Sequence, residues 1–175
     1  MIEGSKESRI IVPMIPTITM IAVTNFAAMM NTTSVTILLP VFMKEFNADI
    51  ILTQWIVTAY MLATCLVAPI VGYITDRISL KRAFMVALVG FTMCNILLGM
   101  AGNIYLVIIM RVMQGVFGGM LMPITQSMIY QYFPRSQQAK AVSIWATTNL
   151  LAPTLAPSIA GAITDVFSWR MIFYV

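Results

Sequence analysis

Arg111 is the only charged residue between positions 83 and 134. It opens the stretch RVMQGVFGG, which places Gln114, Gly115 and Gly118 three, four and seven residues on, along one helical face. An isolated guanidinium in an apolar medium costs several kcal/mol or more, so a functional role is the default reading for Arg111, with Gln114 and Gly115 on its face. The alternative is that Arg111, about eight residues past the preceding turn, snorkels to the nearer surface. A second group is polar but uncharged. Thr17, Thr24 and Asn31 share a helical face, with Asn25, Thr32 and Thr36 alongside. Asn25, Asn31 and Thr32, with Gln54 and Tyr60, are candidates for a substrate or polar pathway; the plainer reading is hydrogen bonding between helices. A third group is GYITDRISLKR, where Asp76 lies one turn after Gly72 and beside Arg77, Lys81 and Arg82. A carboxylate there can cap a helix or pair with a cation, and Gly72 lets another backbone come close. The cations also suit a turn that does no more than set topology.

Other chemistry is poorly supplied. With no histidine, neither histidine metal sites nor Ser-His and Cys-His pairs can be assembled, and no metal or cofactor is expected. Glu3, Glu7, Glu45, Asp49, Asp76 and Asp165 all fall at loops or at the ends of apolar runs, so no carboxylate pair and no mid-membrane proton carrier is in view. Cys65 and Cys94 lie inside apolar runs, where a thiol is a small hydrophobe rather than half of a disulfide framework. An enzyme is the poorest reading, and no basic groove with interleaved aromatics suggests nucleic acid.

The elements that must hold these groups are membrane helices. The chain is 60% hydrophobic and 9% charged over 175 residues, outside the range of soluble domains. Uncharged runs cover 10–43, 50–75, 83–110, 112–134 and 141–164, against the roughly 20 apolar residues that one helix needs to cross a bilayer. Ala101, Gly102 and Asn103 mark a turn between the third and fourth spans. The expected fold is an all-α membrane bundle of five spans, near 14–42, 50–74, 83–101, 104–131 and 140–163, with a sixth beginning near 170. That sixth segment reads MIFYV and stops, as a truncated chain would. The first run is too long for a cleaved signal peptide. Lys6, Arg9, Arg77, Lys81, Arg82, Arg135 and Lys140 fall on one side of this path and Lys44 and Arg170 on the other, so the N-terminus is expected in the cytoplasm, in a cell (cytoplasmic or inner) membrane. The net charge of +4 reflects that topology.

Several motifs, in order, carry a family resemblance. GYITDRISLKR resembles the loop motif of the major facilitator superfamily: Gly72, Asp76, Arg77, Lys81 and Arg82 match, Ser79 replaces the second glycine and Leu80 a basic residue. TQWIVTAYML resembles the start of the second span in the fourteen-helix drug:proton antiporter branch (EmrB/QacA type), through Thr53, Gln54, Trp55, Thr58, Ala59 and Tyr60. MNTTSVTILLP resembles its first span through Thr33 and Pro40, with Asn31 where the branch has an aspartate; an amide cannot titrate. Arg111, Gln114 and Gly115 resemble the family's R-x-x-Q-G. NLLAPTLAPSIAG resembles its antiporter motif, keeping Pro157 and Gly161, with Pro153 a turn earlier and Ala156 and Ala160 where glycines are usual. The row Ala152, Ala156, Ala160 and the row Pro153, Pro157, Gly161 both offer small contacts, which plain helix packing also requires. Gln138 stands where the family has an arginine, and Ser168 to Phe173 is similar to its entry into the sixth helix.

The resemblance implies the N-terminal portion of a transporter. Its partners would be the lipid bilayer, a small-molecule substrate, protons and a C-terminal half outside these residues. The implied function is multidrug or toxic-compound export by alternating access, with the Asp76 loop as cytoplasmic gate, Arg111 biasing coupling and the Pro153–Gly161 helix at the interface between halves. A uniporter or symporter of another solute remains open, as does a non-transporting remnant or membrane interaction subunit. The 16 methionines suit either a polyspecific pocket or ordinary membrane filler.

Overall fold

The computed structural model describes residues 14–174. They form α1 (Met14–Ile37), α2 (Leu39–Glu45), α3 (Ile50–Arg77), α4 (Leu80–Gly99), α5 (Ile104–Tyr132) and α6 (Arg135–Val166), then a 3₁₀ turn, Trp169–Phe173. The long helices run up and down with short connections. Helix α3 begins where the Asp49 side chain accepts from the Ile51 N–H at 2.8 Å, and α5 where Asn103 accepts from the Leu106 N–H at 2.8 Å. Asn47, at φ 46°, takes the left-handed conformation after α2, and the Ala48 N–H reaches back to the Met43 carbonyl at 3.1 Å. That is the long bond of a Schellman cap, with asparagine in the place that glycine usually fills.

Helices α3, α4 and α5 are each long and apolar enough to cross a membrane, and α1 with α2 makes a fourth span if the bent pair is one. Within the expected first span, α1 and α2 meet at a 57° bend. Pro40 lies in the first turn of α2 and has no N–H for the Thr36 carbonyl, so one helical bond is missing at the bend. Prolines 69, 123, 153 and 157 lie inside helices that continue. Helix α6 spans 32 residues but is less apolar than the others. The charged residues Lys6, Arg9, Glu3 and Glu7 lie outside the described residues.

The helices pack as α3 and α4 on α5, and α6 on α1. Gly115 and Gly119 let α5 meet α3 backbone to backbone, since a Cβ at Gly115 would stand 2.5 Å from the Tyr60 carbonyl oxygen and one at Gly119 2.9 Å from Thr64 Cα. Against α1, α6 presents Ala152, Ala156 and Ala160, which are buried, and turns Pro153 and Pro157 outward. The apolar interior divides into two clusters. One, around Ile21, Val71, Phe84, Phe91 and Ile124, lies toward the Asp76 end; the other, around Leu38, Phe42, Leu98, Ile104 and Trp169, lies toward the Arg170 end. Along α1, α4 and α5 alike, a short polar interval separates them.

Candidate functional site

That interval contains Asn31 on α1, Asn95 on α4, and Arg111 and Gln114 on α5. Arg111 is 1% exposed and Gln114 0%, so the guanidinium does not snorkel: it turns into the bundle. Its Nη1 donates to Gln114 Oε1 at 2.5 Å, one helical turn away. Gln114 then spends both amide hydrogens, on Asn95 Oδ1 at 2.6 Å and Asn31 Oδ1 at 3.1 Å, while Asn31 Nδ2 donates to Asn95 Oδ1 at 2.9 Å. Three helices are tied by three amides and one cation. The face of the Tyr60 ring lies 5.4 Å from the guanidinium carbon and that of Phe173 5.9 Å, so two aromatic quadrupoles share in compensating the charge. Among the described residues no carboxylate pairs with Arg111, and its Nε is buried without a partner.

Tyr60 links this layer to the first helix, because its hydroxyl lies 3.1 Å from that of Thr32, which in turn donates to the Ala28 carbonyl at 2.9 Å. Gly115 lets α5 close on the Tyr60 backbone, which carries the ring, and Gly118 leaves room for its hydroxyl. Asn25 belongs to a separate group nearer the Asp76 end. Its Nδ2 donates to the Ile21 carbonyl at 2.8 Å and to Thr125 Oγ1 at 3.1 Å, and Trp145 Nε1 donates to the same Thr125 hydroxyl at 3.3 Å. Of the remaining polar stripe, Thr17 and Thr24 are buried and Thr36 is exposed. Gln54 joins neither group; it is exposed, beside a shallow cavity lined by Leu39, Pro40, Met43, Ile50 and Thr53 between α2 and α3.

The charged loop lies at the opposite end of α3 from the start of that helix, remote from Arg111. Asp76, Arg77, Lys81 and Arg82 are exposed, and Asp76 carries no ion pair among the described residues. Arg77 stacks over the Tyr73 ring at 4.6 Å. Gly72 faces open space, and a methyl group in place of its hydrogen would meet nothing within 4 Å. The row Pro153, Pro157, Gly161 is likewise unobstructed at Gly161. Gln138 has a local use: its Nε2 donates to the Tyr130 and Phe133 carbonyls, both at 3.0 Å, closing the end of α5.

Sequence reasoning missed Asn95, Thr125 and Trp145. Asn95 had a signal, being the only amide in α4, but no charge or proline near it gave it a motif to belong to. Thr125 and Trp145 carried none, since threonine and tryptophan are ordinary in membrane helices.

Comparison with known proteins points one way. The family model of the Major Facilitator Superfamily matches residues 21–175. The chain is 31% identical over 149 residues to the uncharacterized MFS-type transporter YhcA of Bacillus subtilis, covering 85% of this chain and 28% of that protein. It is 29% identical to the fatty acid resistance protein FarB of Neisseria gonorrhoeae, over 86% of this chain and 30% of that one. With the multidrug export protein EmrB of Escherichia coli K12 the identity is 24%, over 89% and 30%. The chain thus spans less than a third of the length of these relatives. Among solved structures, a bacterial homolog of the human lysosomal transporter Spinster, inward-facing and occupied, superposes with a TM-score of 0.77 at 16% identity, covering 97% of this chain and 41% of that one.

Proposed function

This chain belongs to the Major Facilitator Superfamily, and we propose that it forms the N-terminal bundle of a multi-pass exporter of small, largely apolar compounds, driven by protons and working by alternating access. The observation that carries the reading is the buried Arg111, a permanent cation held inside α5 by an amide and aromatic rings, with no acid beside it among the described residues. A cation so placed is costly to keep for packing alone, and membrane helices retain such residues where charge is used. The likeness to EmrB and FarB, named for multidrug export and fatty acid resistance, supports drugs or amphipathic acids as the substrate class.

In this reading a C-terminal half completes the transporter and the outward row Pro153, Pro157, Gly161 faces it. Five helices cross the membrane, near residues 14–42, 50–74, 83–101, 104–131 and 140–163, and a sixth opens near 170. Arg77, Lys81, Arg82, Arg135 and Lys140 share one end of the bundle, which supports a cytoplasmic N-terminus in the inner membrane, and Asp76 is free to meet a helix of the other half as the cytoplasmic gate. A second reading, uniport or symport of one solute, is favoured by the polar layer itself, in which Asn31 and Asn95 leave no group to carry a proton.

The test is ethidium accumulation in an exporter-deficient bacterium expressing the full-length protein. Wild type should lower accumulation, a protonophore should abolish the effect, and Arg111→Met at equal membrane abundance should lose it. Efflux that survives the protonophore would favour the second reading, and unchanged efflux by Arg111→Met would remove the arginine from the mechanism.

A further inference from the structure

We propose that Asn95 is the positioning residue of the polar layer, setting the direction of every hydrogen bond that leads to Arg111; the proposal rests on the transport reading above.

The argument is one of amide orientation. An amide side chain has a donor end and an acceptor end, and nothing in its shape decides which way round it sits. Gln114 must present Oε1 to Arg111, because a guanidinium offers only N–H groups. If its amide were reversed, the NH₂ would face the cation and the oxygen would face Asn31 Oδ1 and Asn95 Oδ1 in a buried site, where unpaired polar groups are most costly. Two oxygens, on α1 and α4, therefore hold Gln114 in the orientation that serves the arginine.

Those two oxygens are not equivalent. Asn95 Oδ1 takes the shorter bond from Gln114, 2.6 Å against 3.1 Å, and also takes the Asn31 amide hydrogen at 2.9 Å. That second bond turns the Asn31 oxygen toward Gln114, so the weaker acceptor is itself aimed by the stronger. A single atom, Asn95 Oδ1, fixes both other amides. Without it Asn31 can reverse and the Gln114 NH₂ loses its shorter acceptor, so the Gln114 side chain is no longer held with its oxygen on the Nη1 of Arg111. Because α1, α4 and α5 each supply one amide, motion of these three helices against one another acts on this ring of bonds.

The role is that of an acceptor, which separates two substitutions. Asn95→Leu keeps the bulk and removes the oxygen; Asn95→Asp keeps an oxygen able to receive both N–H groups. The experiment uses the purified full-length protein in proteoliposomes with ethidium as the probe under an imposed pH gradient. Asn95→Leu should lower the maximal transport rate about tenfold or more with KM little changed, the pattern of an interaction used in the conformational cycle rather than in uptake. Asn95→Asp should restore transport to within about threefold of wild type and add a further pH dependence to that of wild type. Wild-type rates in Asn95→Leu, or an Asn95→Asp protein as poor as Asn95→Leu, would overturn the proposal. A denaturant-unfolding cycle on the same proteins reads the ring without transport. Asn95→Leu and Gln114→Leu should be strongly non-additive, while additive losses would overturn the proposal. If wild type moves no ethidium, the export reading falls and the unfolding cycle alone decides the role of Asn95.

Discussion

Replacing Gly115 by alanine should loosen the bundle at the point where its charge is held. The added Cβ would stand 2.5 Å from the Tyr60 carbonyl oxygen and 2.8 Å from Ala63 Cβ. A carbon against a carbonyl oxygen settles at about 3.3 Å, so α3 and α5 must part by roughly 0.8 Å. Neither obstacle is a flexible side-chain end, and the same seam is held by the Thr64 hydroxyl, 3.3 Å from the Gly115 carbonyl. Overpacking of this kind costs about 1–3 kcal/mol. That is roughly a 5- to 150-fold change in an equilibrium constant. Helix propensity offsets little of it, since membrane helices persist when the bundle comes apart. Gly72→Ala is the control, because a methyl group there meets nothing within 4 Å. The assay is reversible SDS unfolding of the purified full-length protein, followed by tryptophan fluorescence. Gly115→Ala should unfold at distinctly lower SDS than both wild type and Gly72→Ala. Equal midpoints for the two alanine variants would refute the close approach of α3 and α5 and, with it, the account of how Tyr60 is placed over Arg111.

Asp76→Asn should lower ethidium efflux from cells although the exposed carboxylate has no ion-pair partner among the described residues; unaltered efflux at equal expression would remove the gate assignment. The Arg170–Glu45 pair, 3.2 Å apart and about two-fifths exposed on each side, should contribute at most about 1 kcal/mol, so Glu45→Ala should shift the midpoint slightly and lose even that in high salt. Thr125→Val keeps the volume and strips the hydroxyl that both Asn25 and Trp145 reach, at 3.1 and 3.3 Å. Its expected cost is about 1–3 kcal/mol in the same titration, the penalty for buried donors left unpaired, and a neutral result would mean that water replaces the hydroxyl.

The helices were legible in the sequence because their cause is local. Long uncharged runs and the short polar breaks at Asn47–Asp49, Ser79 and Gly102–Asn103 mark where chain can leave an apolar phase, and Asp49 and Asn103 cap helices there. Pro40 was legible as a family residue but not as the origin of a bend, since prolines 123, 153 and 157 sit inside helices that continue; which one breaks depends on what surrounds it. For the site, spacing along one helix was informative: Arg111 and Gln114 at three residues do bond. Relations between helices were not, which is why Asn25 and Asn31, six residues apart on α1, were grouped together yet join different networks, and why Gln54 was grouped with Tyr60 although it faces the other way. Asn95 is the extreme case. Its importance comes from partners 64 and 19 residues away, and no period within α4 encodes them.

The composition of the layer also constrains how it can respond to its surroundings. An arginine side chain stays protonated and amides do not titrate, so Arg111, Gln114, Asn31 and Asn95 keep one total charge across the physiological range. Compensation comes from oriented dipoles and ring faces, each directional, and in a low-dielectric interior such groups are costly to leave half-paired. The layer therefore has few arrangements between fully bonded ones: a rearrangement that turns the Gln114 side chain away from Arg111 must offer the guanidinium another acceptor. Its Nε, buried without a partner, is a donor already in place for such an exchange. Proton coupling in the proposed cycle must then enter from a carboxylate outside this layer, acting by supplying or withdrawing that acceptor as it ionises. The arginine is the fixed charge against which such a group would work.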